Sequence, residues 1–443
     1  MFEKISELMT ERMFGQIRTI LSEAQPADVA DFFEELPQED AVRLFRLMPK
    51  EEAAESFSYM STETQKKIVD AITDRELSGI LDELFLDDTV DMIEEMPANV
   101  VKRVLANSDP DTRRLINHFL QYGEDTAGSL MTIEFVDLHR DMTVRDAFER
   151  IRKTGVDKET IYTCYVTDKN RVLDGLVTVR TLLLSDMDSV IGDIMDTNVV
   201  FTSTGEDKEE IAAMFAKYDL LSVPVVDNER RLVGIITVDD AVEVMQEENT
   251  EDFEKMAAIT PSDDPYLKVS TLQHVKNRVL WLLLLMISAT FTGAIITHFQ
   301  SLFSTNLALV SFIPMLMNTG GNCGSQVSTL VIRGMALDEI RGRDVLRVLW
   351  KEIRISVIVG AILAAVIILS TWVTRQDLSL ALTVGLSLYA TVIVAKSVGC
   401  LLPIGAKQLH LDPAIMASPI ITTVVDMCAL LLYFTVAKSL MGL

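Results

Sequence analysis

Histidine and cysteine are scarce in this chain: five His and four Cys among 443 residues. The histidines are scattered, and Cys164, Cys323, Cys400 and Cys428 lack metal-ligand spacing, so the pattern builds no zinc centre. Three of the cysteines sit in apolar segments and read as reduced, structural thiols. Basic residues are also short, 40 Lys+Arg against 65 Asp+Glu, and the net charge of −25 excludes nucleic acid as a partner, since its phosphates need Lys and Arg. With no P-loop, nucleophile–base pair or metal-ligand cluster, nothing supports an enzyme. The opening MFEKISELMT is too charged and too weakly apolar for a secretory signal, so the expectation is a cytoplasmic N-terminus.

The acid excess is confined to one part of the chain. From Thr271 onward there are 12 basic and 7 acidic residues, whereas the preceding 270 residues carry 28 and 58. An acidic soluble body is therefore joined to a slightly basic, apolar one. Such a body suits cations, or simply solubility.

From Ala27 to Tyr122 the sequence repeats every 12 residues, from ADVADFFEELPQ to DTRRLINHFLQY, with apolar residues at helical spacing in each unit. Pro37, Pro49, Pro97 and Pro110 punctuate the units, and acidic residues or Asn usually open the next. The spacing predicts eight short amphipathic helices stacked in pairs as a solenoid with a carboxylate-rich outer face.

Beyond Gly128 the pattern changes. Val136–Leu138, a helix over Val144–Lys153, Tyr162–Val166 and Leu173–Val177 read β-α-β-β. Val199–Thr202, a helix over Lys208–Tyr218, Val223–Val226 and Leu232–Ile236 repeat that order. The duplicated module resembles a tandem of CBS domains, a ligand-sensing fold. GIIT followed by Asp240 is similar to that family's nucleotide motif, which implies Thr237 and Asp240 as ribose contacts. The first copy has Thr178 and Thr181 and lacks the acid, so the resemblance admits ATP at one site at most.

Ala241–Ala258 reads as a helix crowded with acids, whose like charges repel unless cations intervene. It is either a solvated face or a cation-responsive one. Five spans follow: Val279–Thr297, Leu307–Met335, Ile355–Val373, Leu378–Leu402 and Pro413–Ala437. Arg333, Arg341, Arg343, Arg347, Lys351 and Arg354 gather between the second and third, which predicts a multi-pass protein of the cytoplasmic membrane with its N-terminus inside and C-terminus outside. Within the second span, Pro314–Gln326 (PMLMNTGGNCGSQ) predicts a break in the helical backbone, serving either a transport path or a close helix-packing face.

Ionisable residues at membrane depth are costly. Asp426 lies near the middle of the fifth span, where it either pairs with Lys396 of the fourth span or faces a cation path. Asp412 lies toward the cytoplasmic end. One such carboxylate per chain favours a homodimer, in which two copies of Asp426 hold a hydrated divalent cation through its water shell. Ser418, Thr422 and Thr423 offer hydroxyl oxygens one or two turns away, and Asn322, Ser325 and Gln326 line or brace the route.

These segments resemble the MgtE family of magnesium channels and transporters: PMLMNTGGNCGSQ with IRGMAL, then LLPIGAKQLHLDPAIMASPIITTVVDMCALLLYF, preceded in order by the helical repeats, tandem CBS domains and acidic helix. The resemblance covers nearly the whole chain. It implies a multidomain α-helical membrane protein with a helical-repeat domain (1–125), tandem CBS domains (126–240), an acidic connecting helix and linker (241–275) and a five-helix pore domain (276–443). It further implies a dimeric Mg²⁺ channel with pore carboxylates Asp426 and Asp412, closed by cytosolic Mg²⁺ on Asp240, Glu243, Glu248, Glu251 and Asp252, with Asp88 and Asp91 of the helical domain as further candidates. Glu243 stands where the family pattern has an aspartate. The alternatives are a broader Co²⁺ or Mn²⁺ transporter, or a membrane-anchored CBS sensor that transports nothing, for which Asp426 would have no use.

Overall fold

Each 12-residue repeat becomes one helix. In this computed structural model, which describes residues 3–123, 125–262, 266–300, 306–337 and 339–441, α1 (Glu3–Thr10) and α2 (Phe14–Glu23) lead into eight helices that match the eight repeats. These are α3 (Pro26–Glu34), α4 (Gln38–Phe45), α5 (Lys50–Ser58), α6 (Thr62–Ala71), α7 (Asp74–Leu81), α8 (Leu86–Glu95), α9 (Ala98–Asn107) and α10 (Pro110–Phe119). Pro37, Pro49 and Pro97 occupy N-cap positions in extended backbone, where a missing N–H leaves no helical bond unmade. Thr73 and Glu76 close a capping box on α7.

Next-but-one helices pack directly, α3 with α5, α5 with α7, α7 with α9, and likewise α4 with α6 and α6 with α8, while neighbours also meet, as α8 does with α9. Phe33, Phe45 and Phe57 hold the same position in successive repeats, and their rings meet at 6.3 and 6.0 Å between centroids, so one buried aromatic column ties the rows together.

The duplicated module follows. After the short α11 (Ala127–Leu130), β1 (Phe135–His139), α12 (Val144–Thr154), β2 (Thr160–Thr167) and β3 (Leu173–Thr178) make the first copy, with β1 parallel and β3 antiparallel to β2. Past α13 (Val179–Leu184) and α14 (Ile191–Ile194), β4 (Thr202–Ser203), α15 (Lys208–Tyr218), β5 (Ser222–Val226) and β6 (Leu232–Thr237) repeat it with the same pairing. The two sheets face each other across Phe135, Tyr165, Leu173, Val226, Leu232 and Ile235, and the buried Tyr165 hydroxyl meets Ser222 Oγ at 2.7 Å.

The chain divides into two units, Met1–Met245 and Gln246–Leu443, and the acidic helix α16 (Val238–Met256) runs through the point of division. Asp263, Asp264 and Pro265 of the expected linker lie outside the described residues. The second unit continues with α17 (Thr271–His298), α18 (Ile313–Ala336), α19 (Val345–Arg375), α20 (Leu378–Gln408) and α21 (Ser418–Met441). Among the described residues, four stretches are long and apolar enough to cross a bilayer: Thr271–His298, Gly342–Arg375, Leu378–Gln408 and Pro413–Met441. Leu283 and Ile287 of α17 and Ile358, Ile362 and Val366 of α19 point outward, as side chains solvated by lipid can.

Two expectations are corrected here. The glycine-rich stretch is not broken: α18 is a continuous helix of 24 residues that contains all of PMLMNTGGNCGSQ. Helical hydrogen bonding survives because its loss in an apolar setting costs several kcal/mol, while glycine costs only about 1 kcal/mol and permits close packing. The expected last span is the interrupted one. A helical turn over Pro413–Met416 precedes Ala417, whose backbone is extended, and α21 begins after it.

Candidate functional site

The membrane helices are arranged by what lacks a side chain. A methyl group added at Gly320 would lie 3.0 Å from a Val425 carbon, at Gly321 2.9 Å from Thr422, and at Gly324 2.7 Å from Ile421. Toward α20, a methyl at Gly320 would lie 2.9 Å from Thr391, and one at Gly399 of α20 would stand 2.3 Å from the Gly324 carbonyl oxygen. The glycines therefore seat α18 directly against both α20 and α21, and the packing-face reading of this stretch is the one observed. Asp426 follows Val425 on α21, one turn beyond Thr422. Its Oδ1 is buried and has no hydrogen-bond partner among the described residues.

The hydroxyls expected near Asp426 are present with their protons committed. Thr422 Oγ1 donates to the Ser418 carbonyl at 2.6 Å and Thr423 Oγ1 to the Pro419 carbonyl at 3.0 Å, which leaves their lone pairs as acceptors. Ser325 Oγ lies 3.0 Å from Ser418 Oγ and braces α18 on α21. Asn322 and Gln326, one turn apart, share an exposed face of α18.

Lys396 does not pair with Asp426. Its ammonium lies 3.8 Å from Glu352 of α19, with Lys396 buried and Glu352 partly buried. Glu352 lies three residues before the span expected from Ile355, but within α19, which begins at Val345.

Asp412 caps the helical turn before α21: its Oδ1 accepts the Ala414 N–H at 2.8 Å. Its Oδ2 takes the Lys255 ammonium at 2.7 Å, and the same ammonium holds Glu251, one turn back on α16. Burial acts to lower the Lys255 pKa, yet the hydrogen bonds and charges of Asp412 and Glu251 raise it, so this lysine stays protonated. Asp252 is pushed up by burial first and then by the Asp412 charge. Lys255 was missed in the sequence; its signal was a lone base four residues after Glu251 in an acidic helix. Glu248 is half-buried on the same helix.

In the first unit, α8, α16 and the first CBS copy bring a second set of acids together. Burial, followed by the charges of Asp240 and Glu243, raises Asp88 to about 7. Burial and Asp240, then Asp88, Glu94 and Glu243, raise Asp91 to about 8. Asp240 itself is raised to about 6, burial and its acidic neighbours outweighing hydrogen bonds from Thr237. Glu159 rises to about 7 through burial, Asp239, Asp240 and Asp88, and Asp87 is raised by burial and Asp88. Glu159, Glu134 and Asp87 are distant from Asp240 in sequence, and only the fold brings them into its field, whereas Asp239 precedes it directly in the chain. Among the described residues no three carboxylates are close enough to share one metal ion. The grouping is a field of mutual repulsion, not a finished coordination sphere.

At the nucleotide-like motif, Asp240 Oδ2 accepts both the Thr237 hydroxyl at 2.8 Å and its N–H at 3.1 Å. In the first copy Thr178 and Thr181 bond each other at 3.0 Å.

Comparison with known proteins follows the same division of the chain. The MgtE intracellular N domain matches residues 24–125, CBS domains match 127–188 and 191–247, and the MgtE divalent cation transporter domain matches 313–436. The magnesium transporter MgtE of Thermus thermophilus is 36% identical over 360 residues, 80% of each chain. The chain belongs to the MgtE magnesium transporter family. The MgtE of Bacillus subtilis is 31% identical over 80% of this chain and 78% of its own. A crystal structure of the cytosolic domain of the Mg²⁺ channel MgtE in complex with ATP superimposes with a TM-score of 0.53 at 37% identity, covering 55% of this chain and all of that one. As a member of a transporter family with CBS domains and membrane-spanning helices, the chain is not an enzyme.

Proposed function

We propose that this protein is a homodimeric Mg²⁺ channel of the cytoplasmic membrane, with α17 to α21 as five spans, the N-terminus inside and the C-terminus outside. The observation that carries the reading is the buried, unpartnered Oδ1 of Asp426 on a membrane helix. An ionised carboxylate without a base at that depth is costly, and a passing cation supplies the missing counter-charge. A two-fold axis would double the charge, and the hydroxyl oxygens of Thr422 and Thr423 can accept hydrogen bonds from the ion's waters, which Mg²⁺ gives up reluctantly. At 24 residues, α18 is about 36 Å long, enough for a fifth span.

Gating follows from the acids of the cytosolic body. Asp88, Asp91, Asp240 and Glu243 repel one another without a divalent cation and are neutralised with one, so cytosolic Mg²⁺ favours the closed arrangement. Glu248, Glu251 and Asp252 belong to the same response through the connecting helix, within 241–275. The CBS pair (126–240) responds to the same ion, and ATP, which the related cytosolic domain binds, fits the Thr237–Asp240 motif.

The test is Mg²⁺ flux in proteoliposomes. Asp426→Ala is expected to lower it at least a hundredfold, and undiminished flux removes the pore assignment. Equal flux of Co²⁺ or Mn²⁺ in the wild type would make the protein a general divalent carrier, and absence of any flux would leave a membrane-anchored sensor.

A further inference from the structure

Strand β1 of the first CBS copy borders a cavity of about 370 Å³, within the range of small-molecule sites. Arg150, Lys158, Lys169, Arg171 and His139 line it against two carboxylates, Asp137 and Asp168. Both carboxylates are already engaged. Asp137 holds the Arg150 guanidinium, whose Nε also donates to the Asp137 carbonyl at 2.6 Å. Asp168 Oδ1 accepts the N–H groups of Asn170 at 2.7 Å and Val172 at 2.9 Å, which closes the β2–β3 turn. Lys158, Lys169 and Arg171 have no carboxylate partner among the described side chains. Three unpaired cations around one cavity stand out in a region where acids outnumber bases 58 to 28.

The second copy supplies an internal control. His139 pairs with Thr167 as Ser203 pairs with Val226, so the turn Asp168–Arg171 corresponds to Asp227–Arg230. Both turns end on an arginine with positive φ, 65° and 62°. In the second copy Arg230 lies over the Phe201 ring at 4.9 Å and Glu229 pairs with Arg231. The first copy has Asp137 in place of Phe201, Lys169 in place of Asn228 and Asn170 in place of Glu229. Its arginine has therefore lost its aromatic cover, and its turn has gained a positive charge and lost a negative one. The Arg171 backbone is fixed nonetheless, because its carbonyl accepts the Leu232 N–H at 2.8 Å across the seam between the copies.

We propose that this cavity binds a small polyvalent anion of the phosphate class. The cationic side chains of the lining outnumber its two carboxylates, and the ammonium and guanidinium groups of Lys158, Lys169 and Arg171, which pair with neither, suit clustered phosphate oxygens, Arg171 adding planar, two-pronged donation. The site is separate from the nucleotide-like motif. Thr178, Thr181, Thr237 and Asp240 do not line it, and Thr178 pairs with Thr163 at the end of the β2–β3 hairpin away from the 168–171 turn. Phe135 and Leu232 add apolar wall, so the phosphates can be inorganic or carried by a nucleotide.

The test is calorimetric titration of the full chain in detergent with inorganic pyrophosphate in Mg²⁺-free buffer. Saturable binding is expected, weakened at least tenfold in Lys169→Glu/Arg171→Glu and unchanged in Thr237→Ala. No saturable binding to the wild type, or wild-type affinity in the double variant, overturns the proposal. The milder Lys169→Gln/Arg171→Gln pair, expected to lose at least threefold, guards against misfolding, as does an unaltered Mg²⁺-dependent melting curve. A parallel ATP titration separates the sources: ATP affinity lost in the double variant assigns the phosphates to a nucleotide, and ATP affinity retained while pyrophosphate is lost assigns them to a free anion.

Discussion

The two units handle clustered carboxylates in opposite ways. In the first, Asp87, Asp88, Asp91, Asp240 and Glu159 are raised by burial and by one another, and among the described residues no base forms an ion pair with any of them. In the second, Glu251 and Asp412 share the ammonium of Lys255, and Glu352 has that of Lys396. A carboxylate group without a counter-ion responds to whatever cation the solution supplies. One with a tethered lysine is largely indifferent until the lysine leaves. The first arrangement suits a sensor and the second a latch.

Between the two carboxylate groups, removing the latch's cation gives the larger expected change. Lys255→Gln leaves Asp412 and Glu251 facing each other uncompensated, so flux at inhibitory internal Mg²⁺ should rise about tenfold, equivalent to roughly 1.4 kcal/mol. Unchanged inhibition in proteoliposomes would mean the Lys255 bridge holds nothing shut. A smaller effect is expected on the sensing side. Asp88→Asn/Asp91→Asn relieves repulsion and removes ligands together. The Mg²⁺-free chain should melt roughly 2–4 °C higher per kcal/mol relieved, and added Mg²⁺ should raise the melting temperature less than in the wild type. A double variant with the full wild-type Mg²⁺ shift would take these two residues out of the sensor.

The smallest effect is a pH dependence, and its sign follows from the raised values. Carboxylates whose folded pKa lies above the unfolded value bind protons more tightly when folded. Their contribution is therefore complete below about pH 4, the unfolded range, and is lost as pH rises through about 6 to 8. Without Mg²⁺, proteolysis of the cytosolic body should quicken between pH 5 and 8, and Mg²⁺ should suppress that increase. A flat profile would mean that these acids do not interact as the fold implies.

Most of the architecture was legible because it rests on periodicity. The 12-residue repeat placed eight helices, and the doubled β-α-β-β order placed both sheets, since spacing alone decides which face is apolar. Asp426 was legible for a similar reason: a carboxylate in an uncharged run is conspicuous. Pairings between distant segments were not legible. Lys396 has one sequence-evident partner, Asp426, yet the fold gives it Glu352, because α19 extends ten residues before the expected start of its span. The acids around Asp240 include Glu159, far away in sequence and on no common helix. The glycine-rich stretch offered two readings, and the choice between them depended on neighbours that local sequence does not reveal.

Where Gly324 meets Gly399, main chain faces main chain. Side chains set most helix spacings, and they can hop between rotamers; a carbonyl against an α-carbon has no rotamers to exchange. The closest approach of α18 and α20 is therefore set by main-chain atoms alone, and a side chain at Gly399 would push the two helices apart beside the helix that carries Asp426.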